Sequence, residues 1–232
     1  MDYPDSGGAG TPVVFLHAAT GHSAMWEHQL PAFTAAGYRC IAFDRSAEGF
    51  ASDQVEAMAT KLALPRFHLV GTAAGAIIAV DYALSHAERL RSLVIANSIV
   101  GVQDEDYLEM SRRLRPSPQF DKLPGDFREL GPSYRAANAE GTKRWDKLAH
   151  AKPRVSYTMR NRITYAALET IRTPTLLLTG DADLYMPPSV LRLLAARIRG
   201  SESVVVPECG HSAYWEQPEI FNRAVLEFLK KY

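Results

Sequence analysis

The chain has 232 residues, 47% of them hydrophobic and 22% charged, with 26 basic and 26 acidic side chains. That is enough for one large domain with a substantial core and too little for two roomy ones. The even charge gives no ground for nucleic acid or an anionic membrane as a partner. No apolar run approaches the ~20 residues of a membrane helix, and the start Met-Asp-Tyr-Pro-Asp-Ser-Gly-Gly has neither the basic nor the apolar region of a secretory signal. The expectation is a cytoplasmic protein, monomer or homodimer, whose partner is a small-molecule substrate.

Strand-like runs lie at Thr11–His17, Tyr38–Asp44, Phe67–Gly71, Leu90–Asn97, Thr175–Gly180 and Ser203–Pro207. Most are continuously apolar, as parallel strands buried on both faces should be. Helical stretches fill the gaps at Trp26–Ala36, Ser52–Leu64, Ala74–His86, Pro187–Arg199 and Gln217–Lys231. Pro187 and Pro218 stand at helix starts, and Gly200 follows a helix end. Strands alternating with helices predict an α/β fold with a doubly wound, mostly parallel sheet.

The stretch from Gly101 to Tyr165 interrupts this alternation. It holds no strong strand and several turn signals, among them Leu123-Pro124-Gly125 and Gly131-Pro132. Residues 101–165 are therefore expected to form a helical cap, or lid, over a core made of residues 1–100 and 166–232. Cys40 and Cys209 read as buried, reduced thiols in strand-like segments.

Four sites carry chemistry. Phe67 to Ala76 runs from a buried strand through Gly71-Thr72-Ala73-Ala74-Gly75 into an apolar helix. His17-Ala18-Ala19-Thr20-Gly21 follows the first strand. Gly180-Asp181-Ala182-Asp183 follows the fifth, and Pro207-Glu208-Cys209-Gly210-His211 the sixth. Together these resemble the α/β-hydrolase superfamily, whose nucleophile elbow is Gly-x-Ser-x-Gly and whose triad follows the order nucleophile, acid, histidine. The resemblance spans nearly all of the chain outside the expected cap.

What the resemblance implies is specific. Ala73 occupies the nucleophile position. His211 is the base and Asp183 its orienting acid, with Asp181 a weaker rival in the same loop. The backbone N–H groups of Ala19 and Ala74 would form the oxyanion hole. His17, Ala18 and Thr72 would border the substrate, with Trp26 and Trp215 as pocket walls. Thr72 should point away from the attack position, so nothing replaces the missing hydroxyl.

Two departures stand out besides Ala73. Ala18 replaces a glycine of the oxyanion loop. The segment Asp44 to Phe50 is shorter than the family's Asp-x-x-Gly-x-Gly-x-Ser pattern, as though residues around Arg45–Ser46 had dropped out. No cofactor is implied, and His17, His22 and His28 lack the acidic or cysteine companions of a metal site.

The expected substrate is a small, largely apolar carbonyl compound: an ester, a lactone or a compound hydrolysed at a carbon–carbon bond. Tyr107, Phe120, Phe127, Tyr134, Trp145, Tyr157 and Tyr165 would supply its walls, while Arg112, Arg113, Arg160 and Arg162 read as solvated. With alanine at position 73, serine-type hydrolysis should be absent, either because a parent serine was replaced or because the enzyme natively uses His211–Asp183 as a bare general base. That second route suits a lyase, a cyclase, a dehydration or a cofactor-free oxygenation. A non-catalytic small-ligand-binding protein is the remaining alternative.

Overall fold

The computed structural model describes residues 3–232. Six strands form one sheet: β1 (Pro12–Leu16), β2 (Arg39–Phe43), β3 (Phe67–Thr72), β4 (Leu90–Ala96), β5 (Thr175–Gly180) and β6 (Glu202–Val206). Their order across the sheet is β2-β1-β3-β4-β5-β6, and every neighbouring pair is parallel. Residues Pro4 to Ser6 run along the outer edge of β2, where Ser6 N donates to Cys40 O and Ala42 N to Pro4 O.

Both faces of the sheet are covered, which explains the missing alternation of polar and apolar residues. On one face Val14, Leu16, Ile41 and Leu69 meet α2 (Ala51–Lys61), α3 (Ala74–Ser85) and α9 (Pro188–Ala195). On the other, Val13, Phe15, Ala42 and Val70 meet α1 (Gln29–Ala35) and α11 (Pro218–Leu229). Each such Val, Leu, Ile or Phe side chain stabilises the fold by about 1.5–3 kcal/mol through removal from water.

Helix ends follow local chemistry. Proline opens α9 and α11, and Gly200, at φ 75°, turns the chain toward β6. The stretch expected as one helix from Trp26 to Ala36 is split into a 3₁₀ turn at Ser23–Trp26 and then α1. A short helix, α10 (Ala213–Glu216), precedes α11. Cys40 lies in β2, but Cys209 lies in the turn after β6 rather than in a strand; both are buried and free.

Between β4 and β5 the chain adds no strand. It carries α4 (Glu105–Arg113), α5 (Gly125–Glu129), α6 (Pro132–Ala137), α7 (Ala139–Ala149) and α8 (Tyr165–Leu168). After β1 the chain goes outward to β2 and then returns to β3 on the other side of β1. The loops leaving β1 and β3 therefore diverge and open a crevice at the carboxyl ends of the strands, where α/β sheets bind ligands. Among the described residues, no helix is long and apolar enough to cross a membrane.

Candidate active site

The elbow is a single-residue reversal. β3 ends at Thr72 and α3 begins at Ala74, so Ala73 alone makes the turn, at φ 49° and ψ −115°. A residue with a Cβ held there stores strain on the order of 1–3 kcal/mol. The strain is held by hydrogen bonds: Ala73 N donates to Ala96 O at 2.9 Å, and Ser98 Oγ donates to Ala73 O at 2.7 Å. The two flanking glycines are required by contact. A Cβ on Gly75 would lie 2.1 Å from Leu16 O, and one on Gly71 would lie 2.6 Å from Ala76 Cα.

The loop after β1 supplies the facing backbone. Ala18, Ala19, Ala73 and Ala74 all line one cavity of about 260 Å³ above the sheet edge. Ala74 sits in the first turn of α3, where its N–H has no intrahelical acceptor. An oxygen bearing developing charge between Ala19 and Ala74 would meet that helix end and the loop amide.

Arg45, read in the sequence only as the edge of a shortened segment, fixes this loop. Its guanidinium donates to His17 O at 2.7 Å and to Ala18 O at 2.5 Å while only 6% exposed. Burial pulls its pKa down to about 10. The short segment after β2 is compact: Ser46 N donates to Gln54 Oε1, and Gln54 Nε2 donates back to Ser46 O and Glu48 O.

The acid and the histidine arrive from the loops after β5 and β6. His211 Nδ1 donates to Asp183 at 2.8 and 2.9 Å, and the two side chains are 7% and 0% exposed. Asp183 Oδ1 also accepts from Tyr185 N and Met186 N, and Oδ2 from Asn97 Nδ2 and Thr179 Oγ1. With Nδ1 carrying the proton, Nε2 is left free to accept one.

Burial alone would push Asp183 up, but the imidazolium of His211 and the converging donors outweigh it and hold the carboxyl below its ordinary range. For His211, burial favours the neutral ring, while the charge of Asp183 and its hydrogen bond raise the pKa above its usual value. Asp181 does not compete: it is exposed and accepts from Cys209 N at 3.1 Å, pinning the turn before the histidine.

Several expected wall residues are elsewhere. Trp26 is fully buried between the rings of Phe15 and Tyr214, at 5.1 and 5.0 Å, on the α1/α11 side. Trp215 packs on His28 and reaches Gly141 O with Nε1. Neither lines the cavity, because closeness in sequence to a site loop does not fix the direction in which an indole packs. Thr72 is 1% exposed beneath the elbow. His17 lines a neighbouring cavity of about 250 Å³, 3.6 Å from Asp44, and burial with the charge of Arg45 pushes its pKa down to about 3. The three suggested histidines do not converge: His22 caps the 3₁₀ turn while His28 stacks on Trp215.

The cavity ceiling is more charged than expected. Arg115, Asp121, Arg128, Glu129 and Arg154 reach it from the segment between β4 and β5. None of the seven expected aromatics lines it. Tyr107 and Trp145 are buried in the two cores, and Phe120 packs on Tyr185 at 5.0 Å. Tyr185, missed from sequence, is the aromatic that does line the cavity. Its ring centroid lies 4.4 Å from that of His211, Arg115 sits 4.6 Å from it, and Arg128 donates to its hydroxyl at 2.9 Å. Burial pushes this phenol up to about 12.

Residues 13–224 match the model of the alpha/beta hydrolase family. The chain is 28% identical to the putative non-heme bromoperoxidase BpoC of Mycobacterium tuberculosis, covering 97% of this chain and 95% of that one. It is 25% identical to the 2-hydroxy-6-oxononadienedioate/2-hydroxy-6-oxononatrienedioate hydrolase of Paraburkholderia xenovorans, over 99% of this chain and 90% of that one. Among solved structures, a thermophilic esterase from Thermogutta terrifontis superposes with a TM-score of 0.83 at 25% identity, covering 99% and 93% of the two chains. The extent of these matches, on a six-stranded parallel sheet with an elbow between β3 and α3, makes the chain a member of the α/β-hydrolase family.

Proposed function

We propose that the protein is an enzyme acting on a small carbonyl compound, that residues 101–165 are its cap, and that the His211–Asp183 pair is its general base. The observation that carries this is the buried His211–Asp183 hydrogen bond opening onto a cavity floored by Ala73. A protein that only bound a ligand would have no need to bury a histidine against a carboxylate with four further donors. Relatives named as hydrolases of oxo-dioates and as esterases support a carbonyl substrate. Arg115, Arg128 and Arg154 on the ceiling support one that also bears a carboxylate, since guanidinium groups match carboxylate geometry. The pocket is in that respect less apolar than the sequence suggested.

With a methyl group at position 73 no acyl-serine forms, so the chemistry open to the site is proton transfer or water attack promoted by His211. A second reading is favoured by the elbow itself. Its strained φ and ψ, its glycines and its facing amides are those of a serine hydrolase lacking one oxygen. Ala73→Ser separates the two with p-nitrophenyl acetate as probe. The protein itself should release no p-nitrophenol above background, because losing a triad nucleophile costs on the order of 10⁶ in kcat. Turnover by the serine variant, with an acyl adduct in its mass spectrum, favours the hydrolase scaffold; an inert serine variant favours the bare base. Ester turnover by the unaltered chain through an acyl adduct would end the proposal.

A further inference from the structure

The ceiling holds one carboxyl group that the base does not explain. Glu129 is the last residue of α5, and 8% of it is exposed. Its side chain lines the cavity shared by Ala73 and His211, yet its carboxyl has no hydrogen-bond or ion-pair partner among the described residues. Its main chain, by contrast, is firmly placed. Glu129 O accepts from His211 N at 2.9 Å, and two residues on Gly131 N donates to Glu216 Oε2 at 2.6 Å. The residue is thus tethered to the loop that carries the base.

A largely buried carboxyl that no protein group pairs, and whose oxygens still face the cavity, is available to a ligand bound there. The charged and titratable groups around it come from every side. Asp183, Tyr185 and His211 rise from the sheet loops, Tyr214 comes from α10, Arg128 lies on its own helix, and Arg115, Asp121 and Arg154 flank it. Burial outweighs the pull of the histidine and the arginines and moves the Glu129 carboxyl above its ordinary range. Both groups are moved upward, so the carboxyl is held toward its proton-donating form in the cavity it shares with His211.

We propose that Glu129 is the catalytic acid that works opposite the His211–Asp183 base. The assignment rests on the general-base reading above. With a ketone substrate, His211 Nε2 takes a proton from the carbon beside the carbonyl. The C–H pair becomes the new C=C bond, and the carbonyl π pair moves onto oxygen. The Glu129 O–H bond breaks as its proton passes to that oxygen, leaving an enol, an imidazolium and a carboxylate. Exchange of the imidazolium proton with water and reversal of both transfers return the ketone with a solvent hydrogen on carbon. No electrons enter or leave.

The test uses 4-oxopentanoate, whose carboxylate suits the ceiling arginines and whose ketone suits the facing amides, with deuterium incorporation in D₂O followed by NMR. Wild type should accelerate exchange over buffer, and Glu129→Gln, which keeps a donor but cannot give up a proton, should slow it about a hundredfold. The Gln variant should also lose the alkaline limb of the pH–rate profile while melting near the wild-type temperature. An infrared band of a protonated carboxyl at neutral pH, present in wild type and absent from Glu129→Gln, is the second expected result. Wild-type exchange with an unchanged pH profile in Glu129→Gln, beside an inactive His211→Ala, overturns the acid assignment alone. His211→Ala exchanging at the wild-type rate, or wild type no faster than buffer, overturns the base reading and this one with it.

Discussion

The floor and the ceiling of the cavity are built on opposite principles. The floor is backbone: a one-residue turn at Ala73, amides at Ala19 and Ala74, and loops leaving the ends of buried strands. It is rigid because each loop is anchored in a sheet buried on both faces. The ceiling is side chain, with three arginines and two acids from short helices and connections. The floor can therefore define a reaction geometry shared by many relatives, while the ceiling can change with substrate. The base proposed at His211 belongs to the floor and the acid assigned to Glu129 to the ceiling, so the two halves would meet in one step.

Breaking the floor should have the largest effects. Asp183→Asn keeps the shape but reverses the favoured histidine tautomer, and should lower exchange activity about 10⁴-fold, read in the same NMR assay. The pair also leaves a signature in stability. Asp183 is depressed, so its contribution is present above the ordinary carboxylate range and is lost as pH falls through its folded value. His211 is raised, so its contribution is full below the usual histidine pKa and is lost as pH rises through the folded value. Urea midpoints of wild type and Asp183→Asn should differ most between those limits, and the difference should narrow without vanishing as pH rises through the folded value of His211. A constant difference across that range would mean the pair is not ionised as described.

Gly75→Ala comes next. Its Cβ would enter the Leu16 carbonyl at 2.1 Å and meet His17 O at 2.6 Å, backbone that no side-chain rotation can clear. A loss of about 3 kcal/mol or more, or failure to fold, is expected in chemical denaturation. Glu216→Ala follows, because that carboxylate accepts from Gly131 N, Gly210 N and Ser212 N; three buried amides left bare should cost about 3 kcal/mol. The smallest effect has the opposite sign. Ala73→Gly relieves the positive φ and should raise the melting free energy by about 1 kcal/mol, net of the extra freedom glycine gains when unfolded. If Ala73→Gly destabilised instead, the elbow would not be the strained point it is taken to be.

The same division decided what could be read in advance. The six strands were visible because two-sided burial demands runs such as Val13 to Leu16 and Leu176 to Leu178. The elbow was visible because close approach of a helix to a strand leaves only glycine at positions 71 and 75. The ceiling was hidden. α5 is five residues long, too short for a periodic pattern, so Arg128 and Glu129 resemble any solvated face. Their signal was weak: an acidic residue just before Leu130-Gly131-Pro132, where the breakers force the chain inward. The arginines singled out in advance lie elsewhere, Arg113 beside Glu109 and Arg160 beside Asp53. Trp26 misled for a related reason, since a 3₁₀ turn directs it under α1 rather than over the elbow.

Glu216 has one more consequence. By gripping Gly131 from the ceiling together with Gly210 and Ser212 from the histidine loop, it welds one rim of the cavity shut. A Cβ on Gly210 would stand 2.4 Å from Gly131 N, so the weld has no slack. Exposed Arg154 lines the same cavity from a stretch free of helix between α7 and α8, which no such grip ties down. The cavity is in this sense tied down beside its buried histidine and charged where it meets solvent: an exposed guanidinium and the buried His211 line the same space.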